Sequence, residues 1–317
     1  MATQWLRRAL RALAAGAASV LLAACGSGSI ESQLTPTRLV AFGDGMADIG
    51  QKAARYTIND GTINNWTSFV AFNLGLDLQP SVSGGLSYAT GNARVLAKPD
   101  AAGDAATPTV KEQIDTFLAS RSFTATDVVL VNAGTADVIA EAAAAMAGTQ
   151  TRDEMLSHLG QAGRDLGAQV RRLVAAGAQH VVVVGPYNLG RSPWALDTSQ
   201  VSLLTDGSGR FNDQFLISVV DLGASVLYVD AALYFNLVTA APTAYSLSNA
   251  IAPACNSVDA GPGIGTGTGQ VNSLLCTTST LVATDAQAYA FADRIYVTPA
   301  SHRLFGEYAL GRLRARW

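Results

Sequence analysis

Leu39-Val40-Ala41-Phe42-Gly43-Asp44-Gly45-Met46-Ala47-Asp48-Ile49-Gly50 is an apolar run that breaks abruptly into Gly-Asp-Gly, with a second Asp-x-Gly close behind. A short continuous apolar segment bounded in this way reads as a strand buried on both faces, the pattern of a parallel sheet. The acidic residues after it read as turn formers, with Asp44 and Asp48 expected to accept from loop amides and cap the following segment. Working outward, strand-like runs occur at Arg38 to Phe42, Asp127 to Asn132, His180 to Val184 and Ser225 to Val229. Helical patterns lie at Trp66 to Leu76, Val110 to Ala119, Asp137 to Ala147, Arg152 to Ala176, Phe211 to Leu222 and His302 to Arg314. This alternation predicts an α/β fold: a three-layer α/β/α sandwich with a parallel, flavodoxin-like sheet and right-handed crossovers. Ligand sites of such sheets lie beyond the C-terminal strand edges, where Gly45 would sit. With 317 residues, 49% hydrophobic and 14% charged, the chain can bury one substantial core, and 38–317 reads as a single domain without repeat or linker.

Three further segments have similar punctuation: Gly84-Gly-Leu-Ser-Tyr-Ala-Thr-Gly-Asn-Ala-Arg-Val95, Asp127-Val-Val-Leu-Val-Asn-Ala-Gly-Thr-Ala-Asp137 and Phe291-Ala-Asp-Arg-Ile-Tyr-Val-Thr-Pro-Ala-Ser-His302. Together with the first stretch they resemble, in order, the motifs of the SGNH hydrolases, also called GDSL lipases or esterases. The first family motif reads roughly Phe-Gly-Asp-Ser-Leu-Ser-Asp-Thr-Gly; Phe42, Gly43, Asp44, Asp48 and Gly50 fit, and Gly45 replaces the serine. The second resembles Asn-Tyr-Ala-x-Gly-Gly-Ala-Arg, so Gly91 would offer the oxyanion amide while Asn92 departs from the second glycine. In the third, Gly134 and Asp137 fit Gly-x-Asn-Asp, and Ala136 stands at the asparagine. In the last, Asp293 and the helix-starting His302 fit, and Tyr296 stands at the catalytic histidine. Gly185-Pro-Tyr-Asn-Leu-Gly190 and Gly209-Arg-Phe-Asn-Asp213 are also similar to the family, and the resemblance runs from about Arg38 to Arg314. It implies the same sandwich fold and an ancestry in ester hydrolysis.

The altered positions are those that carry the chemistry. Hydrolysis of this kind needs a hydroxyl to attack, an imidazole to take and return its proton, and donors aimed at the oxyanion. Gly45 has no side chain, Ala136 has no donor, and a phenol such as Tyr296 titrates near pH 10, which makes it a poor base at neutral pH. Losing the nucleophile or the base alone costs on the order of 10⁶ in turnover, and the members act as a unit. No triad is therefore expected intact at Gly45, Gly91, Ala136, Asp293 and Tyr296. A different register would make His302 the base, but it matches the family's second histidine, a structural position. His158, in a predicted helix, and His180, at the start of a strand, each read as a solvated or satisfied histidine. Lys52, Lys98 and Lys111 have no serine three residues before them, and no Gly-x-Ser-x-Gly elbow occurs. Asp44 could attack an ester only as an unorthodox carboxylate nucleophile. Small residues at 45 and 136 predict a roomy residual cleft, with Asp44, Asn92, Asp137 and Tyr296 as candidate cleft-binding groups. Arg94 either reaches that cleft or makes a surface salt bridge.

At the N-terminus, Arg7, Arg8 and Arg11 precede an apolar run from Ala12 to Ala24 that ends in Leu22-Ala-Ala-Cys25. This is a signal peptide (1–24) with a bacterial lipobox, after which Cys25 becomes the lipidated first residue and 25–37 a short flexible tether. The run of about 13 residues is short for a hydrocarbon core about 30 Å thick. Processing takes the formal charge from -3 to -6 by removing three arginines, leaving nothing basic enough to attract nucleic acid. Gly26 rather than Asp after the cysteine predicts transfer to the outer membrane, with the membrane held through the lipid on Cys25. Cys255 and Cys276, in an oxidising compartment, predict a disulfide closing the loop 255–276. Inside it, Ala260-Gly-Pro-Gly-Ile-Gly-Thr-Gly-Thr-Gly269 reads as a flexible surface excursion, since it follows no strand and lacks a Gly-Lys-Ser/Thr end. No metal or cofactor is expected. The reading is a hydrolytically inactive envelope lipoprotein that binds an acyl chain, glycan or envelope protein partner. An active ester hydrolase and a purely structural lipoprotein with a collapsed cleft remain the alternatives.

Overall fold

A computed structural model describes residues 34–317. The expected signal peptide (1–24), the expected lipidation at Cys25 and the expected tether up to Gln33 lie outside the described residues. Leu34 and Thr37, at the tether's far end, hydrogen-bond into the domain through Leu34 N to the Trp317 carbonyl (3.4 Å) and Thr37 N to the Thr126 carbonyl (3.4 Å).

Strands β1 (Arg38–Gly43), β2 (Asp127–Asn132), β3 (His180–Val184) and β4 (Val226–Tyr228) form a parallel sheet in that order. Val40 pairs with Val129 and Val129 with Val181, so the β-branched runs stack side by side in the core. On the outer edge of β1 runs a fifth segment. Ala41 N donates to the Leu86 carbonyl (3.0 Å), Tyr88 N to that of Ala41 (2.7 Å) and Thr90 N to that of Gly43 (3.1 Å). The second extended piece in sequence thus lies outside the first and the later ones follow on its other side, which is the flavodoxin-like order. Its Gly-Gly-Leu-Ser-Tyr composition carries too short an apolar run to be read as a strand from sequence alone.

The helices are α1 (Trp66–Asn73), α2 (Val110–Ser120), α3 (Thr135–Met146), α4 (Arg152–Ala175), α5 (Pro193–Asp197), α6 (Val201–Val219), α7 (Ala231–Ala240) and α8 (Pro299–Arg316). Helices α1 and α8 pack together on one face of the sheet, and α3, α4 and α6 pack together on the other. Thr109 and Thr151 close capping boxes with Glu112 and Glu154, which fixes where α2 and α4 begin. Helix α6 starts ten residues before the expected Phe211, and its Gly207 lies inside the helix against Leu159 of α4, where a Cβ would stand 3.0 Å from that side chain, rather than in a turn. A side chain at Gly163 of α4 would come within 2.3 Å of the Phe211 carbonyl, so the two helices approach at backbone distance. Strands β5 (Asn249–Pro253) and β6 (Tyr289–Phe291) form a second small sheet beside a satellite core around the Cys255–Cys276 disulfide.

The loop inside that disulfide corrects the surface-excursion reading. Ile264 is 1% exposed and belongs to the main core, and Gly265 lies so close to the Ala101 carbonyl that a side chain would meet it at 2.2 Å. Its glycines let the loop lie flat on the body and press one apolar side chain inward.

Candidate functional site

At the C-terminal end of β1 the chain turns through Asp44, whose carboxylate is wholly enclosed. It accepts from Met46 N (3.1 Å), Thr135 N (2.8 Å) and Ala136 N (3.4 Å), fastening the loop after β1 to the N-terminus of α3. Burial pushes its pKa up to about 7, against the opposing pull of those amides. Asp48 accepts from Gly50 N (2.8 Å), Gln51 N (2.9 Å) and Gly91 N (2.8 Å). The amide expected to face an oxyanion is therefore spent on an internal carboxylate.

Asp293, at the position that would orient a catalytic imidazole, accepts from Ile295 N (2.8 Å), Tyr296 N (2.6 Å) and Ser273 N (3.0 Å). It ties the turn bearing Tyr296 to the disulfide-closed loop. Asp137 accepts from Val95 N (3.0 Å) and lies 3.5 Å from Arg94; burial raises it to about 6, with Arg94 pulling the other way. Arg94 also pairs with Glu141 (2.5 Å), which in turn meets His158 (2.9 Å), so it belongs to a charge network on α3 and α4. Asn92, in a left-handed conformation (φ 62°), donates to the Gly263 carbonyl (3.1 Å) and holds the Gly-rich loop down.

The positions without reactive side chains are filled rather than vacant. A Cβ built on Gly45 would stand 2.6 Å from both Cζ and the hydroxyl of Tyr296. Tyr296 is fully buried, and burial drives its pKa well above the ordinary phenol value, with the Asp44 charge adding to the rise. The Tyr296 hydroxyl has no hydrogen-bond partner among the described residues. Beside it, at a ring-centroid distance of 4.9 Å, lies Tyr56, so close over Gly91 that a side chain there would meet its ring at 1.9 Å. Ala136 is 0% exposed. The expectation of a roomier cleft is thus corrected: volume released at position 45 is taken up by the larger residue at 296, and Tyr56 covers position 91. Cavities of about 620, 280 and 300 Å³ occur on the domain, and none is lined by Gly45, Gly91, Ala136, Asp293 or Tyr296.

His302 does not supply the missing base. It sits buried in the first turn of α8, its Nδ1 accepting from Trp66 N (3.4 Å), and burial lowers its pKa to about 3. His180 packs edge-on against Trp317 at the far end of β3. Among the described residues no cluster of His, Cys, Asp and Glu is arranged to hold a metal ion.

Sequence reasoning missed Tyr56, Ile264 and Ser273. Ile264 carried a usable signal, as a lone large apolar residue among glycines; Tyr56 carried none, because the loop that delivers it has no periodicity.

The sequence profile of the family described as GDSL-like Lipase/Acylhydrolase matches residues 39–309. Among solved structures, Est24, a carbohydrate acetylesterase from Sinorhizobium meliloti, aligns at 14% identity over 88% of this chain and 99% of its own, with a TM-score of 0.46. Another crystal structure aligns at 14% identity over 89% of this chain and 98% of its own, with a TM-score of 0.46. No curated protein matches the chain.

Proposed function

The chain belongs to the family of GDSL-like lipases and acylhydrolases, and we propose that it is a non-hydrolysing member: a lipid-anchored envelope protein whose degenerate centre is filled by its own aromatic side chains. The observation that carries this reading is the fit of Tyr296 against Gly45, since the phenol occupies the space that a nucleophile's side chain would need. An acyl chain or glycan would have to displace Tyr56 and Tyr296 before reaching Asp44 beside Gly45, so an accessory or structural role through the outer surface is favoured over small-molecule binding in the cleft. A carboxylate attack by Asp44 is disfavoured for the same reason: its oxygens already accept from three amides and face no open volume. The Leu22-Ala-Ala-Cys25 lipobox and Gly26 support an anchor in the outer membrane.

The mature protein is expected to leave short- and medium-chain p-nitrophenyl esters at the buffer rate. Because Tyr56 covers Gly91, regaining turnover takes four changes together, Gly45→Ser, Ala136→Asn, Tyr296→His and Tyr56→Ala. Hydrolysis by the unaltered protein that disappears in Asp44→Asn would overturn the reading in favour of a carboxylate nucleophile.

A further inference from the structure

The end of the domain opposite the degenerate centre gathers features that hydrolysis does not explain. Arg314 of α8 donates to the Asn73 carbonyl at the end of α1 (3.1 Å), and Arg316 donates to the Gly223 carbonyl just before β4. Leu34 donates to the Trp317 carbonyl, and Arg38 at the start of β1 reaches the Ser122 carbonyl (2.9 Å), next to Arg121. These contacts bring the N-terminal strand ends, the last turns of α1 and α8, and the point where residues 1–33 join onto one surface.

On that surface Arg121, Arg312, Arg314 and Arg316 are exposed, and beside them Phe72 is 66% and Val220 71% exposed. The nearby exposed acids are fewer: Asp77, and Asp221, which is paired with Arg171. Arginines outnumber acids here, in a chain whose net charge is -3. Helix C-termini favour cations, which accounts for some of the arginines. It does not account for a phenylalanine and a valine left bare among them.

We infer that this end is a docking face for an anionic lipid surface, with the degenerate centre turned away from the bilayer. The inference rests on the reading of Cys25 as a lipid anchor. Residues 26–33 reach about 30 Å when fully extended, whereas a domain of this size is roughly 45–50 Å across. Only the end bearing Leu34 is held at the membrane by so short a tether. Each arginine near an anionic surface raises its occupancy on the order of fivefold, and Phe72 and Val220 add apolar contact at the headgroup boundary.

The test uses the full chain produced with its leader and reconstituted into phosphatidylethanolamine vesicles with or without a quarter phosphatidylglycerol. A fluorophore is placed at Phe72→Cys or, at the opposite end, at Thr62→Cys, and quenching by a nitroxide-headgroup lipid is read. Several-fold stronger quenching at 72 than at 62, rising with phosphatidylglycerol and falling in an Arg312→Gln, Arg314→Gln, Arg316→Gln variant, supports the docking face. Should that variant not fold, the two labels in the otherwise unaltered chain still decide. Acylated protein with equal quenching at both positions overturns the docking face alone. A mature mass without acyl chains on Cys25 overturns the anchor reading and the docking face with it.

Discussion

Two sets of residues share the loops at the C-terminal edge of the sheet, and they differ in what they touch. Asp44, Asp48, Asp137 and Asp293 accept from backbone amides and fasten one loop to the next. Gly45, Gly91, Ala136 and Tyr296 stand one to three residues from those carboxylates or, for Gly91, at the end of one of their hydrogen bonds; all but Ala136 share a contact in which Tyr296 covers Gly45 and Tyr56 covers Gly91, and Ala136 is fully buried. The first set needs only enclosed acceptors and would serve any protein of this fold. The second is where attack, proton transfer and oxyanion binding would take place, and it is closed by packing. Architecture and chemistry are thus separable within a single motif: in Gly43-Asp44-Gly45 the middle residue builds the loop and the last carries no reacting group.

The sharpest way to break this comparison is to remove a fastening carboxylate. Asp293→Ala would strand three buried amides, from Ser273, Ile295 and Tyr296. An unsatisfied buried donor costs about 1–3 kcal/mol, so a loss of about 3–5 kcal/mol is expected in urea unfolding. A loss below about 1 kcal/mol would mean that Asp293 is kept for something other than holding loops.

Next in size is the packing between 45 and 296. Gly45→Ser forces a side chain against the phenol, and overpacking of this kind costs about 1–3 kcal/mol. Adding Tyr296→His should recover most of that loss, since the smaller ring vacates the contact; coupling of this sign in a double-mutant cycle is the signature of residues that share one volume. Simple additivity would show that the two positions do not compete for space.

A smaller, graded effect is expected with pH. Asp44 holds its proton up to about pH 7 and Asp137 to about pH 6, against an ordinary value of 3.8. The folded chain therefore binds more protons than the unfolded chain between these limits. Their contribution is full below about pH 4 and is lost as pH rises through 6 to 7. Asp127 is shifted the opposite way by Arg38 and Thr124, so the effect is read as a difference. The urea midpoint of Asp44→Asn should fall less steeply between pH 4 and 7 than that of the unaltered protein.

The layers were legible because β1, β2 and β3 are continuous apolar runs and the stretches that became α2 and α4 carry helical patterns, signals that are local in sequence. The site was legible only as positions. That Gly45 lacks a hydroxyl can be read from the chain; that its volume is occupied depends on Tyr296, which arrives from a turn some 250 residues later. Tyr56 was hidden for the same reason, since it is delivered by a loop without periodicity and acquires its role from a neighbour distant in sequence, whereas Ile264 stood out as a lone large apolar residue among glycines. The edge segment at 86–90 is extended because β1 offers it hydrogen bonds, not because its own residues favour a strand.

The smallest expected effect discriminates best between a centre that is merely filled and one that still binds something. Tyr187 and Tyr296 are both fully buried in the aromatic core behind the site, but the Tyr187 hydroxyl donates to the Ile295 carbonyl (2.6 Å) whereas that of Tyr296 has no partner among the described residues. Replacing each by phenylalanine removes one oxygen and leaves the ring. Tyr187→Phe gives up a hydrogen bond and exposes a carbonyl to an apolar wall, a loss of about 1 kcal/mol. Tyr296→Phe removes a desolvated hydroxyl that nothing repays, a gain of up to about 1 kcal/mol, or roughly 2–4 °C in Tm. Opposite signs in a pair of thermal unfolding curves would mark the phenol at 296 as filler. If both variants lose stability equally, the hydroxyl at 296 has a bound partner, and the centre is a polar site rather than a plug.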